Sequence, residues 1–245
     1  MNLRLPVIRG VITRRLLVNF RIRPEALREF LPMPFRPQLV RGWALGGICL
    51  IRLDAVRPKG LPSWLGLGSE NAAHRLAVEW DEAGTTRNGV YIPRLDTGSA
   101  MNQLLGGRVF PGEHHRADFT ATDDGEALRL EVRGRDNGLH IAVAGRNGPE
   151  IPPGSVFRSL AEASEFFRNG PLGWSASGNG CCEGLELHCA AWRMEPFVVQ
   201  TVTSSFFDDT ARFPEGTAIF DSAFVMRGIE HEWRAHGTRR METWT

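Results

Sequence analysis

Four ionisable residues stand where a strand-like alternation of the sequence expects apolar side chains, namely Arg14, Glu70, His74 and His115. Alternate residues of a strand point to opposite faces, so each of these side chains shares a face with the apolar residues that follow it. Buried charge is costly unless it is paired, so these groups would neutralise one another or surround a ligand. The pattern therefore predicts an inward-facing polar cluster, and an enzyme pocket is a common setting for one.

These side-chain types suit acid–base chemistry on a small anion. Arg14 would bind a carboxylate, and Glu70 would orient the substrate or move a proton. His115, together with His74, would act as acid or base near neutral pH, and His74 is also assigned to substrate binding. Arg116 lies on the opposite face of its strand. We therefore expect it to bind substrate at the outer side of the strand or to contact a neighbouring subunit. The alternative, that these strand-end charges only reach solvent or cap loops, stays open.

No metal or cofactor site is predicted. The adjacent His114 and His115 diverge on a strand, and Cys181, Cys182 and Cys189 lack the spacing of a zinc clip. Neither a glycine-rich phosphate loop nor a G-x-S-x-G nucleophile turn occurs in the sequence context that it requires. The roles of the three cysteines stay undetermined at this level.

Composition sets the broad class. The 245 residues are 42% hydrophobic and 23% charged, which is typical of a globular protein. The net charge of +1 gives no electrostatic reason to expect nucleic acid or an anionic membrane as a partner. No apolar run approaches the roughly twenty residues of a membrane helix. The cysteines follow no disulfide spacing and the N-terminus does not resemble a signal peptide, so a cytoplasmic location is expected. We expect a single domain over residues 1–245.

The hydrophobic pattern predicts a mainly β protein, α+β by element count, with two or three short helices around an antiparallel barrel or packed sheets. Helices are predicted over 24–32 and 159–170, and loops over 57–69 and 171–184. The turn signals within 115–146 predict a three-stranded meander. The predicted strands are 12–23, 42–56, 74–80, 88–95, 115–122, 127–133, 139–146, 185–192, 196–207 and 222–233.

The sequence resembles the acetoacetate decarboxylase-like superfamily. The resemblance rests on the blocks RRLLVNFRIRPEALREFLPMPFRP, SENAAHRLAVEW, NGVYIPRLDTG and GGRVFPGEHHRADF, and it spans nearly the whole chain. The C-terminal blocks SLAEASEFF, LELHCAAWRMEPF and FDSAFVMRGIEHEW are most similar to its uncharacterised YqjF-like branch. The resemblance implies the barrel fold of that superfamily and a habit of assembling into oligomers.

The resemblance also implies a pocket whose chemistry has changed. In the decarboxylases a lysine beside a second lysine forms a Schiff base with the β-keto acid. Carrying the family's pattern across without a gap from Gly106-Gly107-Arg108 aligns this pair with His115 and Arg116. The resemblance also puts a pocket glutamate onto Glu70 and a substrate-binding arginine at or next to Arg14. Imidazole and guanidinium form no stable iminium, and Lys59, the only lysine, reads as a solvated loop residue.

The sequence thus predicts a pocket for a small organic acid or keto compound without Schiff-base decarboxylation. Lyase-type or acid–base chemistry is one reading, and a non-catalytic ligand-binding β-barrel is the alternative. A structural protein with a filled interior is a third. Substrate identity, oligomeric state and whether Lys59 reaches the pocket are not determined by the sequence.

Overall fold

The computed structural model describes residues 7–99, 112–136, 138–177 and 180–242. The Gly106-Gly107-Arg108 segment that anchors the family alignment lies outside the described residues. The helices are α1 (Pro24–Phe30) and α2 (Leu160–Arg168), and a 3₁₀ turn covers Ser63–Leu65. The strands are β1 (Ile8–Ile22), β2 (Arg36–Pro37), β3 (Leu39–Val40), β4 (Trp43–Pro58), β5 (Leu67–Glu82), β6 (Thr85–Thr97), β7 (His114–Asp123), β8 (Ala127–Gly134), β9 (His140–Asn147), β10 (Leu172–Ser177), β11 (Cys181–Cys189), β12 (Glu195–Ser204) and β13 (Ala218–Arg240).

The strand pairings close two rings that share strands. One, which we call the cavity ring, runs β13-β1-β4-β5-β6-β10-β11 and returns to β13. The other, the core ring, runs β13-β1-β4-β5-β6-β7-β8-β9-β12 and also returns to β13. Closure leaves few unpaired edges, which would otherwise be open to pairing with other chains. The mainly β barrel-like architecture is therefore confirmed, with α1 and α2 beside it.

The shared strands are buried on both faces, because one face lines each ring. In β4, Ile48 and Leu50 belong to the hydrophobic cluster of the core ring, whereas the intervening Cys49 belongs to the cluster on the cavity side. In β1, Leu16 and Leu17 divide in the same way. The core ring is packed with aliphatic side chains from β8 and β9 and with phenylalanines from 206–213.

Most predicted elements are present, with two differences. Helix α2 has the predicted N-cap, since the Ser159 hydroxyl accepts a hydrogen bond from the Glu162 amide, and the meander over β7, β8 and β9 is antiparallel as predicted. The predicted loop 171–184 is wrong, because β10 and the start of β11 lie there. The sheet is also mixed, since β6 pairs in parallel with both β7 and β10. The segment 171–184 is rich in glycine and serine, which have low β propensity. Its strands β10 and β11 pair with each other and also with β6 and β13, which are distant in sequence.

Gly47 allows two polar side chains of the cavity ring to meet. Asn19, Gly47 and Arg75 stand side by side across β1, β4 and β5. A Cβ atom at position 47 would lie 2.4 Å from the Val18 carbonyl oxygen and 3.3 Å from the Asn19 side-chain oxygen. The missing side chain leaves the path by which Arg75 reaches across β4 to Asn19.

Among the described ranges, no helix combines the length and the apolar character that spanning a membrane requires.

Candidate functional site

A cavity of about 420 Å³ lies inside the cavity ring. Its lining comes from β1, β4, β5, β6, β10, β11 and β13, from the start of β7, and from helix α2. Phe166 and Phe167 bring the C-terminal turn of α2 against it, and Trp192 and Trp233 contribute two indole rings. The volume falls in the range of ligand sites rather than of packing defects.

Arg75 is a buried cation at the wall of this cavity. It is 7% exposed, and its Nη2 donates a hydrogen bond to Asn19 Oδ1 at 2.5 Å. The Asn19 amide nitrogen in turn lies 3.4 Å from Ser222 Oγ, which holds the amide with its oxygen toward the guanidinium. Burial lowers the pKa of Arg75 to about 10, so the side chain remains charged at neutral pH. Among the described residues, no carboxylate pairs with it, and its Nε is unpartnered.

Arg15 is a second cation of the lining. Its Nε donates a hydrogen bond to Cys49 Sγ at 3.4 Å, and its Nη1 is buried without a partner among the described residues. The guanidinium lies 5.8 Å from the centre of the Trp192 ring, and that of Arg75 lies 4.8 Å from the Phe167 ring. Both cations thus face aromatic rings, which offset only part of the cost of burying charge.

His114 is one of two histidines in the described cavity lining, the other being His188, whose Nε2 lies 3.2 Å from a carboxylate oxygen of Glu186. His114 begins β7, and its Nδ1 donates a hydrogen bond to the Gly112 carbonyl oxygen at 3.2 Å. This hydrogen bond selects the neutral tautomer in which Nε2 carries no proton. Burial lowers the pKa of His114 below its ordinary value, and the nearby His115 lowers it further, although the hydrogen bond to Gly112 acts the other way. At neutral pH the side chain is a base.

The other polar groups of the lining are less suited to chemistry. Asp96 also lines the cavity, but its carboxylate is held by Arg94 through contacts of 2.8–3.1 Å. The thiols of Cys49 and Cys189 lie in the wall, and burial raises the pKa of Cys189. A protonated thiol is a poor nucleophile and metal ligand. Within the described part of the chain, no three histidine, cysteine, aspartate or glutamate side chains form a group that could hold a metal ion.

The structure brings two of the sequence-predicted site residues together. Arg14 is 5% exposed, and its Nη2 donates to Glu70 Oε2 at 2.7 Å. Asp123 extends this pair, because its carboxylate lies 3.7 Å from Arg14 and accepts a 2.6 Å hydrogen bond from Arg227. Burial alone would raise the pKa of Asp123, but the hydrogen bond from Arg227 holds it below its ordinary value. Two cations and two anions thus compensate one another.

His115 belongs to a different cluster. Its Nδ1 lies 2.7 Å from Asp136 Oδ2, and Asp136 also accepts a 2.7 Å hydrogen bond from Arg94. Burial would raise the pKa of Asp136, and Arg94 more than offsets this, so the carboxylate stays ionised. Arg116 donates to the Gly98 carbonyl oxygen at 2.8 Å. Among the described contacts, His115 forms its ion pair with Asp136 and none with Arg14 or Glu70.

His74 lies in the core ring among aromatic side chains. It is fully buried, with its ring centre 4.5 Å from that of Phe206 and 6.2 Å from that of Phe207. Neither ring nitrogen has a hydrogen-bond partner among the described residues. Burial, aided by the charges of Arg94 and Arg212, lowers the pKa of His74 to about 3. The imidazole is a neutral packing residue in this structure.

None of the five sequence-predicted residues belongs to the cavity lining. Four of them, Arg14, Glu70, His74 and His115, each have a polar neighbour in the chain that does belong to it. The lining residues that sequence reasoning missed are Arg15 beside Arg14, Asn71 beside Glu70, Arg75 beside His74 and His114 beside His115. The available signal was the recurrence of polar doublets. Because successive residues of a strand point to opposite faces, a doublet on a strand buried on both sides gives one polar group to each ring. A role in chemistry for the five predicted residues stays a prediction.

Comparison with known proteins identifies the relatives of this chain. Residues 11–209 match a family model, DUF2071, which is described as an uncharacterized conserved protein. The chain belongs to the DUF2071 family. No curated protein matches it significantly. Membership of this family, together with the fold relatives described next, confirms the resemblance to the YqjF-like branch of the acetoacetate decarboxylase-like superfamily.

Three solved structures show that this DUF2071 protein shares a fold with acetoacetate decarboxylase-like enzymes. The enduracididine biosynthesis enzyme MppR, complexed with pyruvate, has a TM-score of 0.62 at 12% identity over 100% of this chain and 93% of its own. An acetoacetate decarboxylase-like enzyme from Sphingomonas wittichii RW1 has a TM-score of 0.57 at 11% identity, with 97% and 93% covered. Acetoacetate decarboxylase from Legionella pneumophila subsp. pneumophila str. Philadelphia 1 has a TM-score of 0.60 at 9% identity, with 97% and 87% covered.

The only lysine of this DUF2071 chain lies at the surface. Lys59 Nζ forms a 2.9 Å ion pair with Glu232, which also binds Arg9 and Arg234, and the lysine side chain is 51% exposed. Lys59 is absent from the cavity lining. The position that faces the cavity at the start of β7 is His114, one residue before the position at which the alignment places the family's lysine pair.

We predict that replacing His74 by leucine flattens the acid side of the stability profile. The folded-state pKa of about 3 lies below the unfolded value of 6.5, so the wild-type protein loses stability as the pH falls below 6.5. The limiting slope for one histidine is about 1.4 kcal/mol per pH unit. Urea unfolding at several pH values between 7 and 4 measures it. The exposed His236, replaced by leucine, provides the control. An unchanged slope in His74→Leu would contradict the assignment.

Proposed function

We propose that this protein binds a small keto acid in the cavity ring and moves a proton at the carbon beside its carbonyl group. The observation that carries the proposal is that Arg15 and Arg75, two of the three arginines in the wall of one cavity, have no carboxylate partner among the described residues. Arginine cannot relieve the cost of burial by losing its proton under ordinary conditions. A bound carboxylate would compensate one of these two charges and offer acceptors to the unpartnered donors.

The character of the ligand follows from the donors. A guanidinium suits carboxylate and carbonyl oxygens. Among the described lining residues the one carboxylate is that of Asp96, which is already paired with Arg94. The fold relative MppR is complexed with pyruvate, which supports a keto acid as the ligand class. An organic acid without the keto group would use the same cations.

His114 is the proposed proton-transfer group. As a neutral base it would take a proton from the carbon next to the carbonyl, and the electron pair would move onto the carbonyl oxygen as an enolate. A guanidinium beside that oxygen would stabilise the developing negative charge. Return of the proton restores the keto acid, so the step needs no oxidant or second substrate.

This route does not use a Schiff base. The surface position of Lys59 and its ion pair with Glu232 argue against iminium chemistry in the cavity. Arg14, Glu70, His74, His115 and Arg116 are not part of the cavity lining, and a role for them in the chemistry stays a prediction. Assembly into homo-oligomers and a cytoplasmic location stay predictions, and so does the alternative of a non-catalytic binding barrel.

Replacing either cavity arginine by glutamine should weaken the binding of pyruvate. Each variant, Arg15→Gln and Arg75→Gln, is expected to raise the Kd about 10- to 100-fold, because a hydrogen bond to a charged group contributes about 1.5–3 kcal/mol. Isothermal titration calorimetry at low ionic strength measures the change. Arg133→Gln, which removes a largely exposed arginine of β8, is the matched control and should leave the Kd unchanged. Wild-type protein that binds neither pyruvate nor acetoacetate would refute the proposal.

Replacing His114 by glutamine should abolish proton exchange while pyruvate still binds. In D₂O the wild-type protein should exchange the methyl protons of pyruvate for deuterium, which proton NMR follows directly. Loss of a general base is expected to slow the exchange about 100-fold or more. Binding of pyruvate without exchange by the wild type would support the non-catalytic alternative. Loss of exchange in His115→Gln with full exchange in His114→Gln would favour the residue predicted from the sequence.

Borohydride treatment in the presence of pyruvate or acetoacetate should leave the protein mass unchanged. A Schiff base would be reduced to a stable secondary amine and would add the mass of the reduced ligand. Intact-mass spectrometry detects this, with the Lys59→Arg variant as control. A ligand adduct that disappears in Lys59→Arg would show that Lys59 reaches the substrate.

A further inference from the structure

The size of the cavity exceeds what a three-carbon acid needs. Its volume of about 420 Å³ lies within the range of roughly 300–1,000 Å³ found for pockets that enclose drug-sized ligands. A water molecule takes up about 30 Å³ of liquid, and pyruvate is only a few times larger. A pyruvate bound to Arg15 and Arg75 would leave most of the hollow to water.

The part of the wall beyond the polar groups is apolar and rich in rings. Four aromatic side chains line it, Phe166 and Phe167 from α2, Trp192 from the segment between β11 and β12, and Trp233 from β13. Aliphatic side chains complete the wall, namely Ile51, Leu53, Val90, Ile92, Leu95, Leu185 and Leu187. Water forms few favourable interactions with such an apolar wall. An apolar group that displaces this water is stabilised by roughly 25 cal/mol per Å² of buried surface.

The cations and the rings are adjacent. The guanidinium of Arg75 lies 4.8 Å from the centre of the Phe167 ring, and that of Arg15 lies 5.8 Å from the centre of the Trp192 ring. A ligand whose carboxylate reaches the guanidiniums therefore places the next atoms of its skeleton beside aromatic faces. Aromatic rings pack favourably against other rings in edge-to-face or offset geometry.

We infer that the ligand of this cavity is an aryl-substituted keto acid, with its carboxylate on Arg15 and Arg75 and its ring among Phe166, Phe167, Trp192 and Trp233. This inference rests on the proposed function and names its substrate class. The cavity does not exclude acids smaller than an aryl keto acid. Pyruvate is therefore also a ligand of this site, but a weak one because it has no ring to contact the aromatic wall. The aromatic wall gives the specificity, and the two arginines give the requirement for an anion.

A ligand series tests the inference. Calorimetric titrations with pyruvate, phenylpyruvate, octanoate and the uncharged phenylacetone compare ring, chain and charge on one protein. Phenylpyruvate should bind about 10- to 100-fold more tightly than pyruvate, since burying a phenyl-sized group contributes about 1.5–3 kcal/mol. Phenylacetone should bind far more weakly than phenylpyruvate. Octanoate that binds more tightly than phenylpyruvate would overturn the aromatic class in favour of an acyl chain.

Variants of the wall separate ring recognition from anion recognition. Trp192→Leu and Phe166→Leu should each weaken phenylpyruvate about 10-fold and leave pyruvate within about twofold, because pyruvate does not reach the ring site. Trp64→Leu is the matched control, since Trp64 is 79% exposed and outside the lining. Equal Kd values for pyruvate and phenylpyruvate, both weakened by Arg75→Gln, would overturn this inference while the proposed function stands. If neither acid binds, the proposed function itself fails.

Discussion

Strands β1, β4 and β5 have two buried faces, and the arrangement of the whole molecule depends on that constraint. Each strand lies in two closed rings at once, so no face of its central part is available to solvent. Every side chain there must pack or find a polar partner in one interior or the other. The rings differ in how they meet this demand, because the core ring is packed with hydrocarbon and the cavity ring encloses a hollow.

The electrostatics divide along the same strands. On the core side, Arg14 and Arg227 are compensated by Glu70 and Asp123, which makes the cluster neutral at the end of the ring. On the cavity side, Arg15 and Arg75 have only a thiol and an amide as hydrogen-bond partners among the described residues. Paired charges offset one another's cost of burial, whereas the unpaired cations around the cavity would be stabilised by a bound anion. Gly47 contributes to the lack of charge compensation, because the absence of a side chain at this position lets Arg75 reach the neutral amide of Asn19.

The proposed function combines the fold of the acetoacetate decarboxylase-like enzymes with a cavity whose polar side chains differ from theirs. The acetoacetate decarboxylase-like fold gives a barrel interior, and the decarboxylases use a lysine there as an electron sink. In this chain the single lysine is paired with Glu232 at the surface, and the cavity presents imidazole and guanidinium groups instead. Those groups suit proton transfer and oxyanion stabilisation, which need no covalent intermediate.

The sequence alone determined the class of the fold, the positions of most strands, the capping of α2 and the meander of β7 to β9, because periodicity and turn residues are local signals. It also determined that β1, β5 and β7 carry polar residues on buried faces, and which residues share a face. It missed β10, whose glycine- and serine-rich sequence is a strand only because β6 and β11 pair with it. Only the tertiary structure decided which face meets the hollow. Alternation places Arg14 and Arg15, and likewise His115 and His114, on opposite faces of their strands, but it does not show which face meets the cavity. Both faces are interior, and the choice between a packed and a hollow ring depends on strands far away in the chain.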